Sequence, residues 1–279
     1  MTAVVVTFNS AHCLPTLAQS LAHWPQVVVV DNGSQDDTLA QVRQHLPQAR
    51  LLALPQNQGF GAANNHALRG LTTPYALLLN PDCRVQTADA LALLATAQAW
   101  PEAAMVVPQL VSASGQPQVN YGWPRGHGSA HGEGAEGLLC VGNACGAVML
   151  LRLSALPTRD WFDTRFFLYY EDEDLCLRLF QARLPVLVDP AVRVAHVNRG
   201  SVRGPRPLHV EYLRGMHHAA SKVLFTAKHR GPAAAQALRR KTLLQAWLVL
   251  VLRVLAPSPR HVARQWGRIC GLWRAPTHY

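Results

Sequence analysis

Three runs of almost unbroken apolar residues, Ala-Val-Val-Val-Thr-Phe at 3–8, Val27–Val30 and Ala76–Leu79, constrain the fold most, because each stops abruptly at polar residues. None alternates apolar with polar, as a strand with one wet face would. Such runs suit a parallel sheet covered on both faces. Arg50–Leu54 is a weaker strand of the same kind, and Met105–Val107 a fifth. Between them lie helical patterns at Leu14–Ala22 (ended by Trp24-Pro25), Asp36–His45 and Ala62–Gly70. Ser34 is a suitable N-cap for the second, with Asp36 and Asp37 favourable in its first turn. Strands alternating with helices predict an α/β sheet with right-handed crossovers. In that architecture ligands bind outside the carboxyl ends of the strands.

The residues at those ends carry the chemistry. Asp31 closes the second run and enters an Asn32-Gly33 turn, with Thr7 and Asn9 at the matching end of the first. A carboxylate there can accept hydrogen bonds from a base or ribose, or simply cap its own turn. The fourth strand ends in Asn80-Pro81-Asp82. Pro81 stops the strand and fixes the turn, so that Asn80 and Asp82 can face one site. A hard carboxylate in that position suits Mg2+ or Mn2+ bound together with substrate phosphates; as a plain turn, Asn-Pro-Asp is also common. Asn57-Gln58-Gly59-Phe60-Gly61-Ala62-Ala63-Asn64-Asn65 imitates a dinucleotide fingerprint, with Asn64 in place of the third glycine. A lone match of that kind is weak. His196 ends the stretch Val192–His196 and reads either as a core histidine or as a neutral imidazole completing a metal shell.

A run of aromatics then meets a run of acids: Phe166-Phe167-Leu168-Tyr169-Tyr170-Glu171-Asp172-Glu173-Asp174. Adjacent like charges beside side chains that prefer burial point to carboxylates held at the wall of a site. A helix is predicted from Glu171 to Ala182.

The net charge of +10 is unevenly placed. Residues 1–198 carry 11 Lys+Arg against 15 Asp+Glu, and residues 199–279 carry 15 against the single acid Glu211, giving −4 and +14. A basic C-terminal segment of this kind suits a polyanionic partner such as an anionic membrane surface. Within it Thr242–Ala256 is strongly apolar. As a helix it reaches about 22 Å at ~1.5 Å per residue, short of the ~30 Å hydrocarbon core. It reads as an interfacial helix or a dimer-packing helix. Residues 112–137, rich in Gly, Ser, Gln and His, read as one long loop. Met1 leads almost directly into a strand, so no signal peptide is expected. The six cysteines form no CxxC pair, which favours reduced thiols and a cytoplasmic setting.

In this order the segments resemble an inverting family-2 glycosyltransferase of the rhamnosyltransferase-like branch. The resemblance covers roughly residues 3–200. It rests on Val5-Val6-Thr7-Phe8-Asn9, Asp31–Ser34, Asn57 through Asn65, Asn80-Pro81-Asp82, Phe166 through Leu175, and His196. It implies a GT-A fold over 1–200 and a basic helical extension over 201–279. Thr7, Asn9, Asp31, Asn57, Asn65 and Asn80 would hold a nucleotide-diphospho-sugar, by this resemblance deoxythymidine-diphospho-rhamnose. Asp82 and His196 would bind Mg2+ or Mn2+. Asp172 would be the catalytic base, with Glu171 its rival, Asp174 an orienting group and Glu173 solvated. Trp161, Tyr169 and Glu171 would line the acceptor side. Asn80 stands where the family's metal motif has an acid, so that position contributes no charge. The acceptor would be a glycan or polyprenyl-diphosphate-linked sugar, met at the inner face of the membrane, with a homodimer compatible and no nucleic acid involved. A nucleotidyltransferase would need a triphosphate loop, and a NAD-dependent oxidoreductase the third glycine; neither is present. A basic nucleic-acid-binding protein would leave the acidic run and Asn80-Pro81-Asp82 without purpose.

Overall fold

The computed structural model describes residues 1–124, 134–196, 206–255 and 258–279. The middle of the expected loop (125–133), the boundary drawn at 200/201 and the end of the apolar helix at Ala256 lie outside the described residues. The chain divides into two compact units. One comprises Met1–Asp163 and Asp172–Arg203, the other Thr164–Glu171 and Gly204–Tyr279.

The first unit is built on strands β1 (Thr2–Thr7), β2 (Val27–Asp31), β3 (Arg50–Ala53), β4 (Tyr75–Leu79), β5 (Cys83–Arg84), β6 (Met105–Val111), β7 (Tyr121–Gly122), β8 (Leu139–Val141), β9 (Asn143–Ala144), β10 (Val148–Arg152) and β11 (Val186–His196). Its helices are α1 (Leu14–Leu21), α2 (Thr38–His45), α3 (Phe60–Arg69), α4 (Thr87–Ala99) and α5 (Glu171–Gln181). The main sheet runs β3-β2-β1-β4-β10-β6-β11-β5, with β8 also paired to β11. The half made of β3, β2, β1 and β4 is parallel throughout. Beyond it β10 lies antiparallel between β4 and β6, and β6 and β11 are again parallel. This is the α/β class expected from the uninterrupted apolar runs.

Successive residues of each run feed opposite cores. Ala3, Val5, Val27, Val29, Leu77 and Leu79 pack with Leu14, Leu17, Val42 and Leu93 of the helices on one face. Val4, Val6, Val28, Val30 and Leu78 pack with Ala63, Leu68, Leu175 and Leu179 on the other. Each fully buried aliphatic side chain contributes roughly 1.5–3 kcal/mol, so both faces of the run are under the same pressure to be apolar.

The second unit contains α6 (Pro207–Arg230), α7 (Pro232–Leu255) and α8 (Pro259–Arg274), each opening on a proline, whose fixed φ suits a first helical turn. Ala219, Val223, Ala227, Ala235, Ala246, Ile269 and Leu272 form their common core. Helices α6 and α8 approach so closely that a Cβ on Gly267 would stand 1.9 Å from the Tyr212 carbonyl oxygen, and one on Gly271 2.1 Å from that of Met216. α7 begins ten residues before the apolar run Thr242–Ala256 suggested. Its first turns, Pro232–Lys241, are rich in alanine and carry Arg239, Arg240 and Lys241, which favour helix without an apolar stripe to reveal it. Among the described residues no helix is long and apolar enough to cross a membrane.

Candidate active site

The ends of β1 and β2 are joined by side chains rather than by backbone alone. The Asp31 carboxylate accepts hydrogen bonds from Thr7 Oγ1 (3.2 Å), from the Ser34 amide (3.0 Å) and from Ser34 Oγ (2.5 Å). Asn9, with φ of +50°, donates its amide to Ser34 Oγ (2.9 Å) and accepts from the Gln35 amide (2.8 Å). Ser34 therefore serves this turn. The start of α2 is instead made by Asp36, whose carboxylate accepts from the Thr38 amide and hydroxyl. Gly33 (φ +76°) lies so near the backbone of Gln56 and Asn57 that any Cβ would come within 2.6–2.8 Å of it. Only glycine fits this turn.

Asn32 was not singled out by sequence reasoning, yet it stitches the turn to the next loop. Its amide nitrogen donates to Asn57 Oδ1 (2.9 Å) and to the Gly59 carbonyl (3.2 Å), and its oxygen accepts from the Gln58 amide (2.9 Å). Asn57 Oδ1 also accepts from the Gly59 amide (2.9 Å). The Asn-Gly pair after a strand was the available signal. Thr7, Asn9, Asp31 and Asn57 thus form one connected rim.

Asn65 does not belong to it. Completely buried, it donates to the Phe162 carbonyl (2.7 Å) and accepts from the Phe162 amide (3.0 Å). Both ends of its amide are occupied inside the protein, where it clamps the 160s segment. Asn65→Asp keeps the acceptor and loses the donor. Unfolding in urea should show a loss of about 2 kcal/mol, with the KM for any donor nucleotide unchanged.

The turn after β4 carries the second group. Asp82 Oδ2 lies 3.9 Å from His196 Nε2, and donor atoms of Asp82, Cys83 and His196 all lie within 4.8 Å of one another. Sheet register sets this arrangement, since β11 and β5 pair antiparallel with His196 opposite Cys83. Burial pushes the His196 imidazole below its ordinary pKa, an effect partly offset by the Asp82 charge, and so favours the neutral, ligating form. Its Nδ1 has no hydrogen-bond partner among the described residues. Burial raises the Cys83 thiol, which donates to the Ala147 carbonyl (3.6 Å). Two donors about 2.1 Å from one ion sit roughly 3–4 Å apart, so an ion fits between carboxylate and imidazole. A hard carboxylate with one imidazole suits Mg2+ or Mn2+, and the protonated thiol stands outside that donor set.

Asp172, in the first turn of α5, is tied to the same place by a dipeptide. Its Oδ2 accepts from the Gly146 amide (2.9 Å) and its Oδ1 from the Glu173 amide (2.9 Å). The adjoining Ala147 carbonyl accepts from the Asn80 amide (2.8 Å). Gly146-Ala147 thus fixes the Asn80-Pro81-Asp82 turn on one side and Asp172 on the other. In the sequence 141–151 reads as an apolar stretch, with no residue-specific mark of this bridge.

The other acidic and aromatic residues separate by role. Asp174, fully buried, accepts from Arg178 Nε (2.9 Å), and Arg178 also donates to the Trp161 carbonyl. Asp174 therefore orients the segment before α5. Trp161, expected on the acceptor side, is 0 % exposed and packs with Phe162, Leu175 and Leu179 in the core. Tyr169 belongs to the second unit, where it and Tyr170 take left-handed φ values of +68° and +70° with their rings against His218. Glu171 is buried and, by the same division, falls in the second unit; Glu173 is half-buried rather than fully solvated.

The description "Glycosyl transferase family 2" matches residues 2–152. An N-acetylglucosaminyl-diphospho-decaprenol L-rhamnosyltransferase of Mycobacterium tuberculosis is 27% identical over 265 residues, covering 82% of this chain and 84% of that one. Among solved structures, the mannosyltransferase PcManGT from Pyrobaculum calidifontis, in complex with GDP-Man and Mn2+, superposes with a TM-score of 0.55 at 17% identity, over 98% of this chain and 86% of that one. TarS 1–349 of S. aureus in complex with UDP gives 0.54 at 16%, over 98% and 91%.

Proposed function

We propose, for a chain that belongs to glycosyl transferase family 2, that it transfers a hexosyl group, rhamnose in the first instance, from a nucleoside-diphospho-sugar to a lipid-diphosphate-linked sugar with inversion. The reading is carried by one observation. Gly146-Ala147 binds both Asp172 and the Asn80-Pro81-Asp82 turn, so a carboxylate base and a phosphate-side carboxylate share one rigid support. The relative's acceptor, an N-acetylglucosaminyl-diphospho-decaprenol, supports the lipid-linked class and its L-rhamnosyl transfer supports the donor sugar.

Thr7, Asn9, Asp31, Asn57 and Asn80 form the donor side. Asp172 accepts the proton of the acceptor hydroxyl as that oxygen bonds to the anomeric carbon. The bond from that carbon to the diphosphate oxygen breaks, and its electron pair leaves with the nucleoside diphosphate. One displacement gives one inversion. Asp82 and His196 would hold a divalent cation, whose charge offsets that developing on the leaving diphosphate. The reaction would run where a lipid-linked acceptor is found, at a membrane face.

The test is release of nucleoside diphosphate from a panel of nucleotide sugars, offered with an N-acetylglucosaminyl-diphospho-lipid, with and without Mn2+. Turnover of deoxythymidine-diphospho-rhamnose that stops on chelation is expected. Pyrophosphate release from a nucleoside triphosphate would instead identify a nucleotidyltransferase.

A further inference from the structure

One face of α7 is apolar and open. Leu244, Trp247, Leu248, Val251 and Leu252 recur at helical spacing and are 43–65 % exposed, while Ala235 and Ala246 of the same helix are buried in the core of its unit. Trp266 of α8, 47 % exposed, lies edge-on to Trp247 with ring centroids 6.0 Å apart, extending the face to a second helix. Large contiguous apolar patches on soluble proteins mark interaction sites. The charge around this one selects among partners. Exposed Arg240 and Lys241 precede Leu244 by one turn, and exposed Arg253 follows Leu252. Over 199–279 the balance is 15 basic residues to one acid.

We infer that this face, Leu244 to Leu252 with Trp266, docks on an anionic phospholipid bilayer. An apolar stripe bounded by cations matches the two layers such a surface presents: anionic headgroups outside and acyl chains beneath. Tryptophans at the margin suit the interface between them. The helix lies in the plane of the bilayer, its apolar stripe toward the acyl chains and its cations among the headgroups. The surface complements the reading of a lipid-linked acceptor. Its test reads binding rather than turnover, so either can fail without the other.

The full chain should co-sediment with vesicles containing phosphatidylglycerol and much less with phosphatidylcholine alone. Trp247 and Trp266 emission should shift to the blue on binding. Leu244→Gln/Leu248→Gln/Leu252→Gln changes only exposed side chains and should weaken binding roughly 100-fold. Arg240→Gln/Lys241→Gln should weaken it roughly 10-fold or more, with circular dichroism unchanged for both variants. Vesicle binding that survives the triple glutamine substitution overturns the inference. So does a wild-type dimer in analytical ultracentrifugation that the triple variant converts to monomer while vesicle binding persists, since the face would then belong to a second copy. If the triple variant fails to fold, Trp247→Gln alone must still reduce binding and diminish the blue shift.

Discussion

Asp172→Asn should turn over ~10²–10⁴-fold more slowly than the parent enzyme, the contribution typical of a positioned general base. At about 1.4 kcal/mol per tenfold, that is roughly 3–5 kcal/mol of transition-state stabilisation. The effect on folding should be far smaller. Asp172 accepts from two backbone amides, those of Gly146 and Glu173. An asparagine can accept only one of them well, at a cost of about 1 kcal/mol. The expected pattern is therefore a small fall in Tm and a large fall in kcat with KM for the donor little changed. Glu171→Gln provides the comparison. If it abolishes turnover while Asp172→Asn retains it, the base is Glu171 and the assignment is reversed.

Gly267→Leu should destabilise the helical unit by about 4 kcal/mol, at the high end for overpacking. The added side chain has nowhere to go, since even a Cβ would stand 1.9 Å from a carbonyl oxygen of α6. Accommodating it requires α6 and α8 to part, which opens the cluster of Ala219, Val223, Ile269 and Leu272. Hydrogen exchange of the α6 and α8 amides, followed through a urea titration, reads this unit separately from the first. An unfolding midpoint within error of the parent would mean that the two helices do not pack this closely in solution.

Much of the parallel half was legible because burial on both faces leaves an unmistakable mark: runs such as Val27–Val30 with no polar interruption. The antiparallel insertion of β10 was not, because Val148–Leu151 reads the same whichever way its neighbours run. The hydrogen-bonded rim of Thr7, Asn9 and Asp31 was visible at the strand ends, where polar residues close apolar runs. The burial of Asn65 and Trp161 was not visible in the same way. A polar or amphipathic side chain near a motif can point into the core and find a backbone partner there, and sequence does not show which way a helix turns it. The bridge at Gly146-Ala147 was hidden because its partners, Asn80 and Asp172, are recruited through the backbone, which carries no residue-specific signature. The exposed stripe of α7 was read as apolar, but its orientation depended on which face the alanines buried.

The pairing of β11 with β5 has an evolutionary corollary. Because His196 meets the Asp82 turn through a ladder in which it stands opposite Cys83, its position is encoded by strand register rather than by a rotamer. Side chains alternate faces at every residue of a strand. Substitutions along Val192–Ala195 can therefore drift among residues of similar shape, and loops elsewhere can lengthen or shorten without penalty. A single-residue insertion or deletion within that strand turns the imidazole to the opposite side of the sheet. Lineages descended from this chain should consequently vary in loop length and almost never in the spacing from β11's bulge, between Asp189 and Arg193, to its terminal histidine.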